Sequence, residues 1–542
     1  MTTNQQKNND IYYLEYDNTR LTKAEEQELL KKERSIINNF FTLSVADLLA
    51  ISGDDKRFQK IVMVLFSVLG VIAAFIINEM PFVFFSPEFH CYDENRALRV
   101  CKQAEACSNQ FGYEVINTKN SLTSEFGLFC EKRTLEINAK SFVFFFAGTL
   151  VMFWSVLSDK IGRLSVFYGS WIWTIKGTII SYFTTNYYFS ILGLGLAFGG
   201  VDLFYSTLFI YTNEVIGSKM RSLSNGLIFS FYGMGGMFFY IYNIWVGDYR
   251  TLFLIQFICI VILGCGFFYI CETPFYLYKT RRLKQLYVAL KYINEQNNRK
   301  DIDKKYEIQK QLKESLFLTS EGPNFIENMD YLRIAKKKQQ PGEKKFKKSP
   351  ITFKLAMRLF LLTVVMGNLY ITYGLTLLIP QKLGIDNIYI NGVLLGASEM
   401  AGYLIITFIA HKTRRKLLNL ATVIATIAIC TMLMVIKGMG YQDNNVGKIF
   451  ESGLSIILKL FISMNYSLVF TYGSELFPTK LRGLALGISV FVGRFLISFC
   501  SYLELFAEYE NIHPMVTSGF GAILALPCIL ILPETLNKKM SN

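Results

Sequence analysis

Charge is scarce in this 542-residue chain: 18% of its residues are Asp, Glu, Lys or Arg, where a soluble domain carries roughly 25%. Apolar residues make up 52% and mean hydropathy is +0.31. A water-soluble globule, a disordered chain and a small disulfide scaffold are excluded. Histidine is nearly missing, with 3 residues, and there is no P-loop, no G-x-S-x-G and no paired-Cys metal motif. Those gaps leave no catalytic constellation, metal centre or cofactor site to name; no enzyme is expected and an ATP-driven pump is excluded. The net charge of +14 fits a nucleic-acid binder by its total alone, yet +9 of it falls in residues 272–353, which hold 19 basic and 10 acidic residues. The excess belongs to one loop, so nucleic acid is not an expected partner.

What is abundant is long apolar runs. A helix of about 20 such residues crosses the ~30 Å hydrocarbon core. Twelve runs of that kind occur, near 60–85, 137–157, 164–184, 187–212, 222–247, 250–271, 354–379, 388–410, 417–437, 452–474, 483–505 and 515–532. Lys and Arg collect in alternate loops: Lys160 and Arg163, Lys219 and Arg221, Lys412 to Lys416, Lys480 and Arg482. By the positive-inside rule that face is cytoplasmic, and both termini lie on it. The expected organisation is a cytoplasmic arm (1–57), a six-helix bundle (58–271), a cytoplasmic central loop (272–353), a second bundle (354–533) and a cytoplasmic tail (534–542). No cleavable signal peptide is expected, because residues 1–57 are polar and the first span is long enough to act as a signal anchor. The run Lys336 to Lys348 is read as solvated rather than lipid-bound.

The one long loop on the outer face, 86–136, holds Cys91, Cys101, Cys107 and Cys130. Their concentration there points to two disulfides in an oxidising space, with the pairing open.

The second half repeats the first. Tyr211, Glu214, Lys219, Arg221 and Gly226 recur as Tyr472, Glu475, Lys480, Arg482 and Gly487 at a constant offset of 261. DKIGRL is answered by HKTRRK at an offset of 252, and ETP at 272–274 by PET at 533–535. Parallel six-helix repeats are the architecture of a major-facilitator transporter, so the fold class is an all-α membrane protein of twelve helices in two such repeats. Two bundles of this kind rock about a site between them. Asp159 with Arg163, Glu214 with Arg221, and Glu475 with Arg482 are the expected cytoplasmic gate.

Three ionisable residues lie inside spans at one depth. Asp202, Arg494 and Glu399 are each 12 residues from Glu214, Arg482 and His411, about 18 Å along a helix. That level is near the midplane, where secondary transporters place their sites. Tyr205 and Phe209 follow Asp202 on its helical face, Tyr370 and Tyr373 lie on the seventh span, and Tyr403 follows Glu399. These eight residues are the candidate solute-binding set, with aromatic rings able to cage organic ions. Lys459 is expected nearer the outer surface, snorkelling. Gly193, Gly195, Gly199 and Gly200 are read as close helix packing.

In order, the chain shows VADLL and GDDKRFQK, EFGLFCEKRTLEINAKSFVFFFAGTL, LSDKIGR, GDYRTL, ETPFYLYKTRRLKQLYVALKYI, ITYGLTL, ELFPTKLRG and LPET. Over residues 44–536 it resembles the organic cation/anion transporter family of the major facilitator superfamily. The resemblance implies transport of small organic ions by uniport, exchange or ion coupling. Arg494 stands where anion carriers of that family have Arg and cation carriers Asp, Asp202 where cation carriers have Lys, and Tyr403 where anion carriers have Lys. The chain departs from the pattern at Ser155, at Leu164 and at Ser190 to Leu192, which argues against reading proton coupling from it. The expected function is a secondary active or facilitative carrier of small organic ions, with anions or zwitterions favoured. A sugar-porter-like carrier and a non-transporting receptor or structural subunit are the alternatives. The expected partners are a small organic ion, a coupling ion and the lipid bilayer, in the plasma membrane or else an organelle membrane.

Overall fold

The computed structural model describes residues 45–535 apart from 94–96, 102, 109–110, 117–119, 299–303, 306, 309, 311–352, 379–386, 411–412, 440–444, 478–480 and 510–514. Most of the arm, most of the central loop with its Lys336 to Lys348 run, and the tail from 536 lie outside the described residues.

A short helix α1 (Val45–Ser52) leads into α2 (Arg57–Asn78) and the single turn α3 (Met80–Val83). The outer loop follows as β1 (Glu88–Tyr92), β2 (Leu98–Cys101), α4 (Gln103–Ser108), β3 (Tyr113–Ile116) and α5 (Leu122–Phe126). The first half then runs α6 (Arg133–Ile161), α7 (Arg163–Phe183), α8 (Tyr187–Val215), α9 (Ser218–Trp245) and α10 (Tyr249–Gly264). Two amphipathic pieces, α11 (Pro274–Lys279) and α12 (Leu283–Asn297), precede the second half. That half is α13 (Phe353–Leu378), α14 (Ile388–Ala410), α15 (Arg415–Gly438), α16 (Asn445–Leu476), α17 (Arg482–Ile497), α18 (Cys500–Tyr509) and α19 (Met515–Ile531).

All twelve sequence runs are helical. Ten helical segments among the described residues are long and apolar enough to cross a membrane. The other two positions are α7, thinned by Arg163, Lys176 and a row of Ser and Thr, and α19, whose described helix has 17 residues. Helix starts carry their own caps: the Asn186 side chain accepts from the N–H groups of Tyr188 and Phe189, and Asp248 from that of Thr251. Such caps satisfy N–H groups that a helix leaves open at its first turn. Between α7 and α8, Gly193 and Gly200 let the backbones meet at Ser181 and Thr174, the close packing membrane helices use.

The halves meet along two helix pairs. On one, Gly148 and Ser155 of α6 lie against Arg494 and Gly487 of α17, and Ser141 Oγ donates to the Ser498 carbonyl at 2.6 Å. On the other, Gly233 and Met237 of α9 lie against Met400 and Gly396 of α14. Both pairs are in contact near each end, at Ser141 with Ser498 and Asp159 with Gly483 on one and at Gly392 with Tyr240 and Gly226 with Thr407 on the other.

The outer loop carries a three-stranded antiparallel sheet, order β2-β1-β3, stapled by Cys91–Cys101 and Cys107–Cys130. Its core is little more than Phe89, Cys91 and Ala106. So small a core depends on its cross-links.

Candidate functional site

A cavity lies between the halves. Asp202, Tyr205 and Phe209 reach it from α8, Tyr370 and Tyr373 from α13, Tyr403 from α14 and Arg494 from α17. The structure thus brings together seven of the eight residues proposed from sequence. Phe229 and Tyr232 of α9 and Tyr466 and Phe470 of α16 complete its aromatic lining. These four were missed, because nothing separates one aromatic from another among 82 in the chain. Spacing from a charged residue finds only aromatics on the same helix.

The wall is ring on ring: Phe209 stacks on Phe229 at 4.7 Å, Phe229 on Tyr403 at 5.1 Å and Tyr466 on Phe470 at 4.9 Å. Arg494 pairs with Asp202 across the two halves, and both side chains are buried. The guanidinium also lies 4.9 Å from the Tyr370 ring centre, a cation–π contact. Among the described residues, Asp202 Oδ2 and Arg494 Nε are buried without a hydrogen-bond partner.

Glu399 is not on the cavity surface. It sits one layer back, where Oε1 accepts from the Tyr373 and Tyr403 hydroxyls, each at 3.0 Å, and Oε2 lies 3.2 Å from Lys459 Nζ. Lys459 does not snorkel. It is 3% exposed and lies 4.0 Å from the Tyr373 ring centre. Residue counting gave its depth but not the direction in which it points.

At the basic face the two halves carry the same network twice. In the first, Arg163 pairs with Glu214 at 3.2 Å and Asp159 at 3.0 Å, and Thr273 Oγ1 donates to Glu214 at 2.7 Å. Glu272 accepts from the N–H groups of Arg163 and Leu164 at the start of α7, at 3.0 and 3.1 Å. In the second, Arg415 pairs with Glu475 at 3.7 Å, and Thr535 Oγ1 donates to Glu475 at 2.7 Å. Glu534 accepts from the N–H groups of Arg415 and Lys416 at 3.0 and 3.2 Å. A carboxylate at a helix N-terminus offsets its positive end. Burial pushes the Glu272 carboxyl up, opposed by the N–H groups of Thr273, Arg163 and Leu164 that favour its charge.

Glu214 and Glu475 therefore find their cations in Arg163 and Arg415. Arg221 donates to the Ile216 carbonyl at 3.3 Å, and the Arg482 side chain lies outside the described residues. Arg415, Glu272 and Glu534 were missed as network members, although the offset of 252 sets Arg415 against Arg163 and the ETP and PET repeats carry Glu272 and Glu534, 262 residues apart. These ion pairs brace each half internally. Between the halves on this face, the Asp159 carboxylate lies against the start of α17, where a Cβ on Gly483 would lie 3.3 Å from Oδ2, and Gly226 of α9 lies against Thr407 of α14.

Residues 135–501 match the Major Facilitator Superfamily. The chain belongs to that superfamily and is an integral, multi-pass membrane transporter, not an enzyme. Within it, the relatives are named as solute carrier family 22 members and as organic cation or organic cation/carnitine transporters. The chain is 24% identical to "Solute carrier family 22 member 16" of Xenopus laevis over 83% of its own length and 74% of that protein's. It is 24% identical to "Organic cation transporter protein" of Drosophila melanogaster, over 82% and 76%. It is 23% identical to "Organic cation/carnitine transporter 2" of Mus musculus, over 80% and 72%. Among solved structures, the proton:xylose symporter XylE bound to 6-bromo-6-deoxy-D-glucose superposes with a TM-score of 0.60 at 14% identity, covering 89% of this chain and 97% of that one. At that identity the likeness is one of fold.

Proposed function

We propose that this carrier moves a small organic zwitterion by alternating access, binding its carboxylate at Arg494 and its ammonium group between Asp202 and the tyrosine and phenylalanine wall. The observation that carries the reading is the Asp202–Arg494 pair, which makes the charges on the cavity wall cancel. A lone anion on Arg494 leaves Asp202 unpaired inside the bilayer, which is costly. A solute bearing both charges replaces each partner with its own opposite charge. Separating Arg494 from Asp202 also loosens one half from the other, which ties solute binding to rocking.

One relative is named for carnitine, a solute with a quaternary ammonium and a carboxylate, and it supports the same class here. The basic face is taken as cytoplasmic by the positive-inside rule and the disulfide loop as external, in the plasma membrane. The rocking units are 58–271 and 354–533.

The test is counterflow in proteoliposomes holding purified protein. Labelled L-carnitine, tetraethylammonium and benzoate are offered against their unlabelled forms. Saturable exchange of carnitine above both single-charge solutes is expected. Exchange of benzoate or tetraethylammonium alone overturns the zwitterion assignment, and no exchange of any solute overturns the carrier reading.

A further inference from the structure

Three tyrosines of the cavity wall are wired to a charge pair that the cavity does not touch. Paired with Lys459 Nζ at 3.2 Å, the Glu399 carboxylate is the acceptor of its hydrogen bonds. Its Oε1 accepts from the hydroxyls of Tyr373 and Tyr403. A phenol has one proton to give. That of Tyr373 is engaged by Glu399, so in its 3.0 Å contact with Tyr232 it accepts and Tyr232 donates. The protons therefore run one way: Tyr232 to Tyr373 to Glu399, with Tyr403 joining at the same oxygen. The hydrogen-bonding capacity left on all three hydroxyls is acceptor capacity. Lys459 holds this direction from behind, donating to Thr376 Oγ1 at 3.2 Å while its ammonium rests against the Tyr373 ring.

We infer that Glu399 and Lys459 are a specificity-positioning pair: by fixing the proton direction of Tyr232, Tyr373 and Tyr403 they make that side of the cavity a subsite for an organic ammonium group. The inference rests on the carrier reading above and names the place of the solute's cationic end. Phenol oxygens with only lone pairs to offer, set among the ring faces of Phe229 and Tyr466, suit a methylated or quaternary ammonium. A carboxylate there would meet acceptors alone. The positive charge of Lys459 cancels that of Glu399, so the subsite attracts through dipoles and ring faces, and the full negative charge is held in reserve behind the wall.

The experiment measures binding of tetraethylammonium, glycine betaine and benzoate to the purified full-length protein in nanodiscs. In the charge swap Glu399→Lys with Lys459→Glu, net charge and pairing persist, but residue 399 becomes a donor and the tyrosine protons must turn around. Tetraethylammonium affinity relative to benzoate is expected to fall at least about tenfold. Lys459→Met uncovers the carboxylate and is expected to raise tetraethylammonium affinity at least about tenfold. Tyr373→Phe, a conservative change that should fold even where the charge variants do not, cuts Tyr232 off from Glu399. It is expected to weaken tetraethylammonium severalfold and leave benzoate as it was. A merely structural pair would lower all three affinities together and leave their ratio in place, and that result overturns the inference. If the wild-type protein binds none of the three probes, the carrier reading falls and takes this assignment with it; binding with an unmoved ratio removes the assignment alone.

Discussion

The Asp202–Arg494 pair can be weighed by a double-mutant cycle. Two unit charges ~4 Å apart at an effective dielectric of ~20 attract by about 4 kcal/mol. Removing one partner strands the other in a site where Asp202 is 5% and Arg494 3% exposed, and a stranded buried charge costs about 3–5 kcal/mol. Asp202→Ala and Arg494→Ala should each lower unfolding stability in nanodiscs by that amount. The double variant should lose little more than either single one, since it removes both charges and leaves only the packing loss. The coupling energy expected from the cycle is thus at least about 2 kcal/mol. A saturating zwitterion should shrink that coupling, because it supplies partners of its own to both residues. Thermal unfolding of the four proteins, with and without solute, gives every term. Two single variants that each cost under about 1 kcal/mol and simply add would refute the pairing, and with it the link between solute binding and release of one half from the other.

The twin basic-face networks predict matched losses. Glu272→Ala and Glu534→Ala each leave two helix-start N–H groups unmet, so each should cost about 1–2 kcal/mol and the two should add, being in separate halves; thermal unfolding checks both the sizes and the sum. Glu79, wholly buried, holds Gln256 Nε2 at 2.6 Å. Glu79→Ala should cost about 1–3 kcal/mol by stranding that amide, and Glu79→Gln less than about 1 kcal/mol; equal losses would mean the hydrogen bond does not matter. Gly162 stands at φ 103° with Glu272 Oε2 where a Cβ would go, 2.1 Å away. Gly162→Ala should therefore destabilise by at least about 1–3 kcal/mol and slow exchange; wild-type unfolding and rates would remove Glu272 from the turn. Replacing Cys91 and Cys101 by Ser should open the outer sheet to protease while leaving solute affinity in the cavity within about twofold, as read by limited proteolysis beside binding.

The fold was readable because membrane helices are written in hydropathy and because the chain states its architecture twice. Tyr211 and Tyr472 show how literal the second statement is: each hydroxyl donates to a carbonyl just past the last span of its own half, Cys271 and Pro533. The outer sheet was hidden, since strands of four or five residues tied by disulfides carry too little periodicity to stand out. In the site, counting at 1.5 Å per residue placed Asp202 and Arg494 at one depth, and two opposite charges at one depth on opposing halves had a reason to meet. Depth is only one of two coordinates. Glu399 and Lys459 also lie inside spans, but whether they face the cavity or the layer behind it depends on how α13, α14 and α16 are turned about their axes. On α14, 11 of 23 residues are buried, so apolar patterning hardly distinguishes its faces. Burial energetics fills that gap. A lysine and a glutamate with no route to water must be partners of each other, and the tyrosines nearest them must direct their protons to the carboxylate. The polarity of the wall thus follows from charges the solute never touches, and Tyr373→Phe, which leaves those charges and the ring faces in place and removes the one hydroxyl that links Tyr232 to Glu399, separates that account from one in which ring faces alone select the solute.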